Sequence, residues 1–135
     1  MRPLAAVALL AGIAAPAGAA VAVVHQAVPD QLDSDRLRDV MLGRSTTWSD
    51  GSPVVLVIAA DQQAVAAVSG RDPVRLLRGW KRLVFAGSAS MPELVPDAEA
   101  ALRLVAVRRG AITILDAEPQ REGVRTVALA AGGSP

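Results

Sequence analysis

An α/β domain with a mainly parallel sheet flanked by helices is what this chain's pattern predicts, and three observations carry that reading. Short β-branched runs (Val21 to Val28, Val54 to Ile58, Ala111 to Leu115) alternate with amphipathic segments at helical spacing. The run Val54-Val55-Leu56-Val57-Ile58 is apolar throughout, as in a strand covered on both faces. The 135 residues are 52% hydrophobic, enough for the core of one domain and not comfortably two.

The elements follow in order. Val21 to Val28 ends at Pro29-Asp30 and reads as a buried first strand. Ser34 is the expected N-cap of a helix with Asp35 in its first turn, Leu37, Val40 and Met41 on one face, and Gly43 as its stop. Ser45 to Pro53 is a polar loop centred on the turn residues Ser49-Asp50-Gly51-Ser52. After the second strand, Asp61 is expected to cap a short helix to Ser69, closed by Gly70. Asp72-Pro73 is a cap followed by proline at the first helical position, opening a helix to about Phe85 that buries Leu76, Leu77, Trp80 and Val84. Gly87 to Pro92 is a small-residue loop. Asp97 caps a helix with Leu102, Val105 and Ala106 inward and Gly110 at its end. Ala111 to Leu115 and Val124 to Leu129 complete the strands. Trp48, Trp80 and Phe85 are the only aromatics, so the core is aliphatic, with Trp80 and Phe85 expected inside it.

Arg2, the apolar run Leu4 to Ala15, the breakers Pro16 and Gly18, and the small-x-small site Ala17-Gly18-Ala19 have the form of an export signal. The expected organisation is therefore a signal segment over 1–20, one domain over 21–129 and a tail over 130–135. Such a protein works in the periplasm or cell envelope.

Several function classes are excluded by composition. With 14 basic and 13 acidic residues there is no electrostatic reason to expect a nucleic-acid partner. The chain has no cysteine, and His25 is its one histidine, so thiol catalysis and a multi-histidine metal site are ruled out. Phosphate-cradling glycine loops, a G-x-S-x-G elbow and an S-x-x-K motif are missing. His25, beside the first strand, reads as structural, and the pairs Asp30/Asp33 and Asp116/Glu118 as solvated loop charges. No cofactor and no enzymatic activity are expected.

Leu37-Arg38-Asp39-Val40-Met41-Leu42-Gly43-Arg44, followed by Thr47-Trp48-Ser49-Asp50-Gly51-Ser52-Pro53, resembles the "L-R-D-I-F-L-G-K … W-S-D-G-S-P" stretch of phosphate ABC transporter substrate-binding proteins, above all their short single-lobe relatives. Trp80-Lys81-Arg82-Leu83-Val84-Phe85-Ala86-Gly87 is similar to that family's "Y-W-x-R-x-x-F-T-G". Arg109-Gly110-Ala111-Ile112-Thr113-Ile114-Leu115 is similar to its "P-G-A-I-G-Y-V". The pieces match in order over roughly residues 21 to 116.

The resemblance implies a single lobe of a type II periplasmic-binding-protein-like fold. In the full-length proteins two lobes close on an anion held by helix N-termini and small hydroxyl side chains. The lobe resembled here carries an "R-x-x-G-S-G-T"-like loop, which corresponds to Ile58-Ala59-Ala60-Asp61-Gln62-Gln63, with no Arg, Ser, Thr or Gly. The implied ligand site is thus Asp61, Gln62 and Gln63, with Ser88 and Ser90 approaching from the Gly87 loop. Its ligand is phosphate or another small oxyanion, opposed by Asp61. The other outcome is an accessory envelope protein that kept the fold and works through a protein partner.

Overall fold

A computed structural model describes residues 20–128. The expected signal segment, apart from Ala20, and the tail over 130–135 lie outside the described residues.

Five strands form one sheet: β1 (Val21–His25), β2 (Val55–Ala59), β3 (Glu93–Val95), β4 (Ala111–Leu115) and β5 (Val124–Ala128). Four helices accompany them: α1 (Ser34–Met41), α2 (Ala64–Ser69), α3 (Pro73–Phe85) and α4 (Ala98–Val107). The strand order is β3-β2-β4-β1-β5. The α/β class holds, and the sheet is mixed. β2 runs parallel to β3 and to β4, whereas β1 is antiparallel to both β4 and β5. The parallel part is the part joined by helical crossovers, because a parallel neighbour needs a long connection. β5 instead follows β4 through residues 116–123 and pairs antiparallel beside β1, where Gly123 C=O accepts from Gln26 N–H.

Alternation along the strands separates two cores. Ala22, Val24, Leu56, Ile58, Ile112 and Ile114 face α1, α2 and α3. Val21, Val23, Val57, Ala59, Ala111 and Leu115 face α4. Both faces being covered is why β2 and β4 read as unbroken apolar runs. On the α4 face the one buried hydroxyl, Thr113, donates to Val57 C=O at 2.8 Å, so its burial leaves no orphaned group.

Local details differ from the sequence reading at four places. Asp33, and not Ser34, is the N-cap of α1, its carboxylate accepting from Arg36 N–H at 2.8 Å. Asp61 does not cap α2: the residue before that helix is Gln63, and its side chain makes no cap bond. Residues 93–95, unassigned from sequence, form the edge strand β3, recognisable only by its pairing with β2. Phe85 is 89% exposed at the end of α3, while Trp80 is buried as expected and donates to Met41 C=O at 2.7 Å. Asp72 and Asp97 cap α3 and α4 as the sequence implies.

Candidate functional site

Because β2, β3 and β4 are parallel, their carboxyl ends converge at one edge, where ligands of open α/β sheets are generally found. Residues 60–63 leave β2 there and Asp116 follows β4. Ala60 N–H donates to Val95 C=O at 2.9 Å, tying the loop to the end of β3.

The junction is closed by internal bonds. The Asp116 carboxylate accepts from Ala64 N–H at 2.6 Å and from Gln63 N–H at 3.1 Å, so it caps α2 from a distant part of the chain. In return Gln62 Oε1 accepts from Asp116 N–H at 2.8 Å, and Gln62 Nε2 donates to Asp61 at 2.9 Å. Asp116, read from sequence as a solvated loop charge, therefore has a specific partner set. Its signal was a carboxylate immediately after a buried strand.

The structure brings Asp61, Gln62 and Gln63 together, as their adjacency requires. It does not join Ser88 and Ser90 to them: both are exposed beyond the far end of α3, where Ser88 N–H bonds Leu83 C=O. Neither serine bonds a junction residue among the described residues. A thirteen-residue α3 separates the two places by about 20 Å of helix.

The Trp48-Ser49-Asp50-Gly51-Ser52-Pro53 segment is scaffold. Trp48 is 2% exposed and its indole N–H donates to Gly110 C=O at 2.9 Å. Ser49 donates through N–H and hydroxyl to Asp30, which also pairs with Arg36 at 3.1 Å. Arg36 lies over the Trp48 ring, 5.9 Å from its centroid. Asp30, expected to be solvated, is 5% exposed. Burial pushes its carboxyl up, but the Ser49 bonds and the Arg36 guanidinium outweigh that and hold it below its ordinary 3.8. His25 accepts from Ala27 N–H at 3.0 Å, a turn-closing role. Among the described residues no group of acidic or histidine side chains could hold a metal ion, and no helix is long and apolar enough to cross a membrane.

No family profile and no curated protein sequence matches the chain. Solved structures do match in fold. One is described as a phosphate ABC transporter substrate-binding protein of Clostridium perfringens with bound phosphate, at TM-score 0.59 and 16% identity over 84% of this chain. Another is an ABC-type phosphate transport receptor of Vibrio cholerae, at TM-score 0.53 and 17% identity, again over 84% of this chain. The chain spans about half of each, 47% and 48%. The chain thus shares its α/β fold with about half of each of these two proteins.

Proposed function

We propose that this chain is an exported, non-enzymatic, solute-binding-like protein, with a signal over 1–20 and one domain over 21–129, whose anion junction is degraded. Phosphate or another small oxyanion then binds no tighter than about millimolar, only ~4 kcal/mol. The observation that carries the reading is the Asp116 carboxylate on the N–H groups of Gln63 and Ala64. An incoming anion would have to displace a tethered one and would then face Asp61. The fold neighbours, about twice as long, supply a second half that this chain does not span.

Calorimetric titration of the full chain with phosphate tests this, beside Asp116→Ser. The wild type should give no heat of binding at micromolar phosphate. Asp116→Ser removes the resident charge and should raise affinity if the junction is the inherited site; micromolar binding by the wild type refutes the reading. Silence from both proteins favours the accessory role, an envelope protein that kept the fold, lost its ligand and acts through another protein.

A further inference from the structure

The charges along α3 are almost all of one sign. Arg71, Arg75, Arg78 and Arg82 line one open cleft of about 390 Å³, with Gly70 and Gly79 as its remaining walls. Lys81 continues the same surface, where it borders a second hollow with Val74, Leu77, Arg78 and Met91. Among the described residues the ion pairs use Arg36, Arg44, Arg103, Arg108 and Arg121, and none uses these five cations. The one carboxylate in the stretch, Asp72, is occupied as the cap of α3.

The helix itself accounts for little of this arrangement. Arg82 stands in the last turn, where the macrodipole favours a cation, but Arg75 stands in the first turn, where it is disfavoured, and Arg78 is mid-helix. Arg75/Arg78 and Arg78/Arg82 are three and four residues apart on the helix, spacings at which like charges repel. Yet Arg71 is held in place. The buried Ser69 hydroxyl accepts from Arg71 N–H at 3.1 Å and shares its proton between Val65 C=O at 2.6 Å and Arg71 C=O at 2.9 Å, which fixes the Arg71 backbone. Its guanidinium lies across Gly79, with Nη1 only 2.9 Å from where a Cβ would stand, so a side chain at 79 would push it out.

Apolar side chains are set among the charges. Arg75, Arg78, Arg82 and Phe85 fall at i, i+3, i+7 and i+10, and Val74, Arg78, Lys81 and Phe85 at i, i+4, i+7 and i+11, so both rows converge on Phe85. Phe85 is 89% and Val74 66% exposed. A small anion has no use for them. A surface that offers phosphate groups and, just beneath them, apolar chains uses both.

We infer that the exposed face of α3 docks on an anionic phospholipid surface, its arginines on headgroup phosphates and Phe85 and Val74 seated in the boundary below. Guanidinium geometry suits phosphate oxygens, and each cation near such a surface adds to affinity. This stands apart from the junction at Asp116, and its failure would leave the phosphate reading untouched.

The test is flotation of the full chain with vesicles of phosphatidylglycerol mixed into phosphatidylcholine, against phosphatidylcholine alone. Residues 4–15 are themselves apolar, so the readout is the excess of anionic over neutral binding. That excess should be roughly 100-fold and fall as salt rises. The quadruple variant Arg71→Gln, Arg75→Gln, Arg78→Gln, Arg82→Gln should lose it while keeping the wild-type circular dichroism; the four lysine replacements should keep most of it, which separates charge from misfolding. Phe85→Ser should cost roughly tenfold without changing the salt slope. Equal capture by neutral vesicles, or full binding by a folded glutamine variant, overturns the inference. Tight calorimetric binding of tripolyphosphate or poly-glutamate with vesicles ignored overturns it as well, in favour of a soluble polyanion or an acidic protein.

Discussion

Replacing Trp48 by alanine tests how the loop between α1 and β2 is held. Three things are lost together. The buried ring goes, and truncating a core Trp costs roughly 3–5 kcal/mol. The indole bond to Gly110 C=O goes, but that oxygen still accepts from Val55 N–H at 3.0 Å, so no buried acceptor is orphaned and the extra cost stays near the net value of about 1 kcal/mol. The platform under Arg36 goes, which matters less because Arg36 keeps Asp30. The expected total is about 4–6 kcal/mol, against an overall stability of about 5–15 kcal/mol for a domain this size. At a urea slope of about 2 kcal/mol per molar, the midpoint should fall by about 2–3 M. Far-UV circular dichroism is the assay, since the substitution removes one of two fluorophores. Trp48→Phe, which keeps a ring and loses the bond, should fall in between. An unmoved midpoint for Trp48→Ala would refute the packing described here, since nothing else in the loop could replace the lost core.

The buried Asp30 gives a pH signature. Its folded-state carboxyl lies below the ordinary value, so its contribution is complete above the ordinary carboxylate range and is lost as pH falls through the lowered value. Asp30→Asn should therefore be less stable than wild type at pH 7, with the gap closing in acid; a constant gap in urea midpoints from neutral to acid pH would contradict it. Gly110→Ala should be strongly destabilising in the same assay, because residue 110 has φ +83° and the new methyl would run into Pro53 C=O. Tolerance of alanine at 110 would mean that the approach of the two loops is not tight.

The fold was legible in proportion to how local its causes are. β2 and β4 announce themselves by apolar runs, and α3 and α4 by Asp caps with apolar faces, all within a few residues. The direction of β1 was not legible, because pairing antiparallel to β4 rests on contacts about ninety residues apart that leave no short-range trace. β3 is three residues long and only half-buried at best, too short for periodicity to register. Trp80 was placed inside correctly because it falls at helical spacing from Leu76 on the apolar face of α3. Phe85 was misplaced by the same logic, since spacing alone does not say that a helix has outrun the sheet beneath it. Asp30 and Asp116 were missed for one reason: each carboxylate's partners, Ser49 and the Gln63–Ala64 backbone, are distant in sequence. The basic face of α3 needed no structure to be seen, as Arg71, Arg75, Arg78 and Arg82 recur at helical spacing. Overall charge near zero concealed it.

Asp116 and the arginines of α3 bear on the same question from opposite sides. A crevice at the carboxyl ends of parallel strands offers backbone donors to an anion, but donors alone bind weakly in water, because water competes for each of them. Selective affinity needs either a fixed cation or several donors left open together. Here the donors of Gln63 and Ala64 already meet a carboxylate that belongs to the chain. Its tether keeps its effective concentration far above that of any free ligand at micromolar level. The guanidinium groups that could have paid for displacing it stand elsewhere, around Gly79 on the outer side of α3. With the junction taken up by an internal cap, the cations that no ion pair uses among the described residues stand on the outward face of α3 and not at the carboxyl ends of the parallel strands.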